Sequence, residues 1–350
     1  MAWRFQRIPV TTTAQALAAR AGAIVLAILI GGVIVAIGGN DPLVLGGQVL
    51  RSTFGSAFGL QDLGLIMTSL ILCGLAVALT LRIGLWNIGA EGQFNMGALA
   101  ATGVGIFVVG PAPLMIVVIF FAGALGGLLW ILLPTLARAY VGVNELITTL
   151  LLNFVAALAV YYVATSAWRD RGSTMTASTY RVPYNVPELW GALHYGIVVA
   201  VLIAVAMAAI VAYTRWGYEV RFSGANPEAA RYAGIPVRRR IIVVMLMSGA
   251  IAGIAGMLEL AGTVHRLQGG FSNNYGYIGI MVAILARGSF LGVIGAAALM
   301  AVVLNAGIVL QSKGVTPNAV LALTGLILLF TAIGDQIAHY RLVRAHAKPA

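Results

Sequence analysis

The sequence predicts an all-α polytopic membrane protein with about ten transmembrane helices, some short or re-entrant, and three observations carry that expectation. Of its 350 residues, 61% are hydrophobic and only 9% charged, whereas a soluble domain is about half apolar and roughly a quarter charged. Mean hydropathy is +0.98, and the apolar residues fall into long runs near the roughly 20 residues a crossing helix needs. The runs are apolar all round and do not alternate, which argues against a membrane β-barrel. This balance excludes a soluble domain, a disordered chain and, despite a net charge of +11, a nucleic-acid binder. The single cysteine, Cys73, excludes a disulfide framework and a Cys-based metal site.

In chain order, residues 1–20 form a basic cytoplasmic segment with Arg4, Arg7 and Arg20. They lack an apolar core ending in a small-residue cleavage site, so the first run reads as a signal anchor. The ten runs are Ala21–Gly38, Leu63–Leu81, Phe94–Val109, Leu114–Leu133, Val143–Val163, Tyr195–Tyr213, Ile241–Leu260, Tyr277–Leu285, Gly292–Leu310 and Val320–Ile333. The third is short, and the eighth spans only if it extends or re-enters. Together, residues 21–337 make one membrane domain, interrupted by an external loop at 164–193 and a cytoplasmic loop at 215–240, and followed by a cytoplasmic tail at 338–350. With the N-terminus inside and ten crossings, 15 of the 21 Lys and Arg residues lie on the cytoplasmic side, as the positive-inside rule requires. Both termini are then cytoplasmic, and anionic membrane lipid is the partner that the basic excess suits. In the external loop, Trp168, Tyr180, Tyr184 and Trp190 form either an interfacial belt or a docking ledge for an outside partner.

The cytoplasmic loop encodes a short helix. Asn226 suits the N-cap and Pro227 the first helical position, while Glu228 in the first turn complements the dipole. Ala229, Ala230 and Ala233 propagate the helix, with Arg231 among them; Gly234 supplies a left-handed stop, and Pro236 prevents continuation. A helix of about two turns is marginal alone in water, so something holds it. Its alanine face allows a partner surface to come very close; the alternative is a connector lying on the headgroups.

Polar residues inside apolar sequence are costly and are functional or partnered. Asn87, Glu91, Gln93 and Asn95 cluster with Gly84, Gly89, Gly92 and Gly97, a density that suits a broken or re-entrant helix lining a solute pathway. Alternatively, Glu91 caps the start of its helix. Asn144 and Glu145 open the fifth run as a structural cap or an ion pair with Arg138, with solute contact as the alternative, and Asn153 lies two turns deeper, as an interhelical hydrogen bonder or a pathway group. Glu259 and the polar stretch from His265 to Tyr275 form either an outer vestibule or an ordinary loop. Gly123 with Gly127, and Gly249 with Gly253, have the spacing of close helix packing. The sequence offers no P-loop, no zinc-protease motif, no serine-hydrolase elbow and no carboxylate pair at metal-ligand spacing in a run, so no catalytic residue and no metal is expected.

Three segments, in order, carry a resemblance. Gly84–Phe94 (GLWNIGAEGQF) resembles the (F/L)NIGAEGQ signature of permeases in the branched-chain amino acid, ribose and nucleoside group. Val143–Asn153 (VNELITTLLLN) is similar to the VNEVI-T-LMLN segment of the nucleoside type, and Gly224–Gly234 resembles the coupling-helix loop of ABC importer permeases. Trp86, Leu146 and Leu151 depart from the usual residues by apolar exchanges. The resemblance covers most of the chain and implies the permease subunit of an ATP-driven importer in a bacterial inner membrane. It implies a second related permease, an external substrate-binding protein and a cytoplasmic ATPase that holds ATP and Mg, with no cofactor in this chain. Asn226–Arg231 would then transmit ATPase motion by alternating access, with Asn87, Glu91, Gln93, Asn95 and Asn153 along the path of a small polar solute. Nucleosides are favoured over simple sugars by Val143–Asn153. An ion-coupled carrier using Glu91, Glu145 and Glu259 is the competing reading, but it has no evident need of the capped cytoplasmic helix.

Overall fold

Some helix starts in this protein, such as those at Asp41, Asn144, Thr214 and Asn226, follow local capping chemistry. A computed structural model describes residues 3–7, 13–172, 177–337 and 340–344, so parts of the expected N-terminal segment, external loop and tail lie outside the described residues. The described chain is overwhelmingly helical and divides into two units.

The first unit comprises residues 1–59 and 302–350. It contains strand β1 (Trp3–Arg7), helix α1 (Thr13–Ile37) and helix α2 (Pro42–Phe54), which the sequence reading did not anticipate. Asp41 caps α2 by accepting the N–H groups of Leu43 (2.8 Å) and Val44 (3.2 Å), and Pro42 occupies the position where a missing N–H costs nothing. The chain bends by 119° between α1 and α2. Val35, Leu45, Val315, Val320 and Leu323 form the core, and the buried Thr53 hydroxyl donates to Asn305 Oδ1 at 2.9 Å. β1 pairs antiparallel with the strand Tyr340–Arg344, with Trp3 opposite Arg344.

The second unit comprises residues 60–301. Its helices are α3 (Ala57–Leu81), α4 (Ala90–Phe107), α5 (Ala112–Leu136), α6 (Glu145–Thr165), α7 (Gly196–Tyr213), α8 (Arg215–Ala225), α9 (Pro227–Tyr232), α10 (Val237–Glu259) and α11 (Tyr275–Leu285). They are followed by α12 (Phe290–Ser312), which continues into the first unit, and α13 (Pro317–Ile337) belongs to that unit. A short hairpin, β2 (Glu188–Trp190) with β3 (Leu193–His194), precedes α7, and Tyr340–Arg344 is β4. α5 and α10 each end in one π-turn, Ala137–Val141 and Leu260–Val264.

The centre of this unit is the mutual packing of α4, α5 and α10, and the two Gly-x-x-x-Gly pairs meet there. A Cβ on Gly127 would lie 2.8 Å from Gly253 Cα, and one on Gly123 would lie 2.5 Å from Met257 Cβ. Only hydrogen fits at such a crossing, which lets backbones touch without a hydrophobic drive between helices.

Among the described residues, six helices are long and apolar enough to cross a membrane, or seven if the bent α1–α2 pair counts as one span. Every expected run is helical, and the long apolar helices together with the shorter ones agree with a polytopic membrane protein whose spans include short or broken helices. The third run begins at Ala90 and carries Glu91, Gln93 and Asn95 in its first two turns, and the eighth remains an 11-residue helix. The segment 177–187 is tied down along 261–268: Val186 N–H donates to Ala261 O (3.0 Å), Val182 N–H to His265 O (2.9 Å) and Thr179 N–H to Leu267 O (3.0 Å).

Candidate functional site

The polar residues of the 84–95 segment are buried and bonded to the chain itself. Gly84 turns out of α3 with φ +76°, and residues 85–89 carry the backbone to α4. Asn87 is fully buried. Its Nδ2 donates to Gln93 Oε1 (2.9 Å) and Ser248 Oγ (2.8 Å), and its Oδ1 accepts from Gly89 N–H (3.0 Å) and Gln93 Nε2 (2.9 Å). That uses all the hydrogen-bonding capacity of an amide. Ser248 passes the network on by donating to the Ala76 carbonyl at 2.7 Å, so one knot joins α3, α4 and α10.

Asn153 of α6 forms a second tie. Its Oδ1 accepts Gly92 N–H at 2.8 Å, and its Nδ2 donates to the Ile88 carbonyl (2.9 Å) and the Tyr277 hydroxyl (3.2 Å). Glu91 forms a third: its carboxylate accepts from the Ser272 hydroxyl and from Gly276 N–H, the latter at 2.8 Å, in the first turn of α11. The N-cap of α11, Asn274, has φ 61° and supplies no side-chain bond. A carboxylate 185 residues away therefore does the capping, where the helix dipole favours it. Glu91 does cap a helix, but that of α11 rather than its own. Asn95 donates to the Glu91 carbonyl at 2.9 Å.

The structure thus brings Asn87, Glu91, Gln93, Asn95 and Asn153 into one buried region. Glu259, also buried, takes a single hydrogen bond from Ser69 Oγ at 2.8 Å. Asn144 accepts Leu146 N–H at 2.9 Å, and Glu145 pairs with Arg138 Nε at 3.2 Å. Glu145 also accepts Trp86 N–H at 3.4 Å, a contact that no local spacing announces.

The helix at 227–232 has the opposite character. Asn226 Oδ1 accepts the N–H groups of Glu228 (3.1 Å) and Ala229 (3.0 Å). At the other end Gly234 takes φ +78°, with bonds from Gly234 N–H to Arg231 O (3.0 Å) and Ile235 N–H to Ala230 O (2.9 Å). These two bonds are the Schellman pair that closes a helix at a left-handed glycine. Ala230 is fully buried and seats α9 on its own chain, while Ala229 is partly buried and Ala233 exposed. The outward face carries Pro227, Glu228, Arg231 and Tyr232, the last 94% exposed. α8, absent from the sequence reading, supports it. Thr214 caps α8 through Gly217 N–H, and Glu219 binds Arg240 of α10 at 2.5 Å.

At the other end of the unit, Arg266 pairs with Asp170 at 2.7 Å, and this hydrogen bond holds the Asp170 carboxyl below the usual carboxylate range. His194 is buried and accepts Gly196 N–H at Nδ1 (3.0 Å); burial, with His265 nearby, pushes it down to about 4. Burial and the Arg181 charge lower His265 as well. No group of three or more His, Cys, Asp or Glu among the described residues is placed to hold a metal.

Residues 60–332 match the family described as branched-chain amino acid transport system, permease component. The chain belongs to that permease family. This permease is 34% identical over 355 residues to a glucose ABC transporter permease of Haloferax volcanii, covering 97% of this chain and 90% of that protein. It is 34% identical over 286 residues to a guanosine ABC transporter permease of Bacillus subtilis, covering 79% and 82%. A nucleoside ABC transporter permease of Lactococcus lactis is 29% identical over 324 residues, covering 89% of each chain. The protein is therefore a multi-pass ABC importer permease, and it works with ABC transporter partners such as an ATPase and a substrate-binding protein. ATP hydrolysis takes place in a partner subunit, and the competing reading as an ion-coupled carrier falls.

Proposed function

We propose that this permease imports nucleosides, with simple sugars as the second reading, through a pathway switched by an ATPase that grips α9. The observation that carries the coupling role is the contrast within α9: both ends are closed by capping bonds and Ala230 is buried, yet Glu228, Arg231 and Tyr232 are left outward. A helix this short is held by its seat on the chain, so a force applied to the outer face moves the seat with it. The ATPase side is then cytoplasmic, and because β1 and β4 pair, both termini lie on one side, read here as the cytoplasmic side of a bacterial inner membrane. ATP and Mg belong to the ATPase, a second related permease completes the pathway, and the binding protein docks outside, at the loop 164–193. Relatives named for guanosine and nucleosides support the nucleoside reading, and one named for glucose, matched over nearly the whole chain, supports the second reading.

Asn87, Glu91, Gln93, Asn95 and Asn153 act here as positioning residues. Their bonding supports that role: they tie the 84–95 turn, α6, α10 and α11 into one piece that passes motion onward instead of offering free amides to solute. The test is ATP-dependent uptake by the reconstituted complex with labelled nucleoside or glucose. Glu228→Lys and Ala230→Pro are expected to abolish uptake while the chain stays in the membrane; uptake retained by both variants removes the coupling role. Glucose uptake exceeding nucleoside uptake reverses the solute assignment.

A further inference from the structure

Beside α9, within the unit 60–301, an open cavity of about 850 Å³ lies between the Ile83–Leu85 turn, the π-turn ending α5, α8–α9 and the start of α10. Its chemistry is of one sign. Arg138, Arg231 and Arg238 line it, and no carboxylate does among the described residues. Arg138 is engaged by Glu145. Arg231 and Arg238 have no carboxylate partner among the described residues; the Arg238 guanidinium instead lies 4.9 Å from the Tyr140 ring centroid. Ser223 also lines the cavity, and its buried hydroxyl has no hydrogen-bond partner. Two unneutralised cations on one cavity favour an anion, and the volume is that of a ligand site.

The rim says which anion. Tyr140 is 61% exposed and Val141 78%, and they end a stripe of exposed apolar residues on α5: Leu125, Leu129, Leu133 and Leu136. The spacings of four, four, three and four up to Tyr140 place these on one helix face. The stripe is about 20 Å long at 1.5 Å per residue, comparable to an acyl chain. An occupant with a phosphate at one end and hydrocarbon behind it matches both surfaces, and basic pockets at the ends of membrane helices take anionic headgroups.

We propose that this cavity binds the headgroup of an anionic phospholipid whose acyl chain lies along α5. The site rests on the reading of α5 as a membrane span, not on the contact proposed for α9. Because Arg231 stands on α9, a lipid bound there touches the helix through which the ATPase acts, so lipid composition would tune coupling.

The test uses the full chain purified in detergent, titrated with phosphatidylglycerol, phosphatidylcholine or soluble glycerol phosphate, with bound lipid counted by native mass spectrometry. Phosphatidylglycerol is expected to be retained on the order of tenfold over phosphatidylcholine, and the double variant Arg231→Gln, Arg238→Gln to lose most of that preference. Arg239→Gln, on the same helix but outside the cavity, should keep it. If the double variant does not fold, Arg238→Gln alone carries the test with a smaller loss. Equal retention of the two lipids overturns the site. So does an equal loss in Arg239→Gln, which signals general surface charge, and so does displacement of phosphatidylglycerol by glycerol phosphate, which makes the cavity a soluble-anion site. No ATPase is present, so these outcomes are independent of the coupling assignment.

Discussion

The start of α4 and the helix α9 are both polar interruptions in apolar sequence, yet their side chains are handled in opposite ways. At α4, Asn87, Glu91, Gln93 and their partners are buried, and their bonds run to Ser248, Asn153, Ser272 and Gly276 on distant elements. At α9, the backbone is capped at both ends but the side chains of Glu228, Arg231 and Tyr232 are exposed. An unmade hydrogen bond in a buried site costs much more than one at a wet surface. Buried polar groups are therefore matched internally and stiffen the scaffold, while surface groups are free for a partner. The comparison separates residues whose loss should unfold the permease from residues whose loss should only disconnect it.

The largest effect is expected on the scaffold side. Gly127→Leu drives a side chain into the Gly253 backbone, which cannot rotate away, and should cost at least about 3 kcal/mol, leaving little folded protein after detergent extraction. A normal yield and unfolding temperature would show that the glycine crossing is loose. Next, Glu91→Ala strands the Gly276 N–H and the Ser272 hydroxyl, at about 1–3 kcal/mol each, whereas Glu259→Ala frees only Ser69. Glu91→Ala should lower both the unfolding temperature and uptake more than Glu259→Ala does; equal losses would erase the special standing of the α4 cluster.

A moderate, pH-dependent effect is expected at the opposite end. The unfolded chain protonates His194 near 6.5, while the folded chain resists until about 4, so the unfolded state binds more protons between those values. Stability should fall as pH drops through that window, and His194→Asn should flatten the slope of unfolding temperature against pH. An unchanged slope would remove His194 as its source. The smallest effect on stability is expected for Tyr232→Ser, within about 0.5 kcal/mol, because its side chain touches solvent. ATP-driven uptake should nevertheless drop. A variant that unfolds, or one that couples normally, breaks the distinction between scaffold and contact surface.

Much of this was legible in the residues. The α9 signals are all local, from the Asn226 cap to the Gly234 stop, and helix and caps lie where the grammar puts them. The two Gly-x-x-x-Gly pairs announced close packing, though not that they pack on each other. What the residues alone did not give was direction: Ala230 is turned inward, and the amides at 87–95 are bonded to the chain itself.

Composition, run length and capping spacing by themselves determined that the chain is a helical membrane protein with a short, closed helix on one loop, because those properties depend on residues a few positions apart. Only the tertiary structure decided that Glu91 caps α11, that Asn153 holds the 88–92 turn, and that the arginines beside α9 line one cavity. A carboxylate needs a donor within about 3 Å, and nothing in the order of residues says which of several distant N–H groups the packing of glycine-rich helices will bring that close.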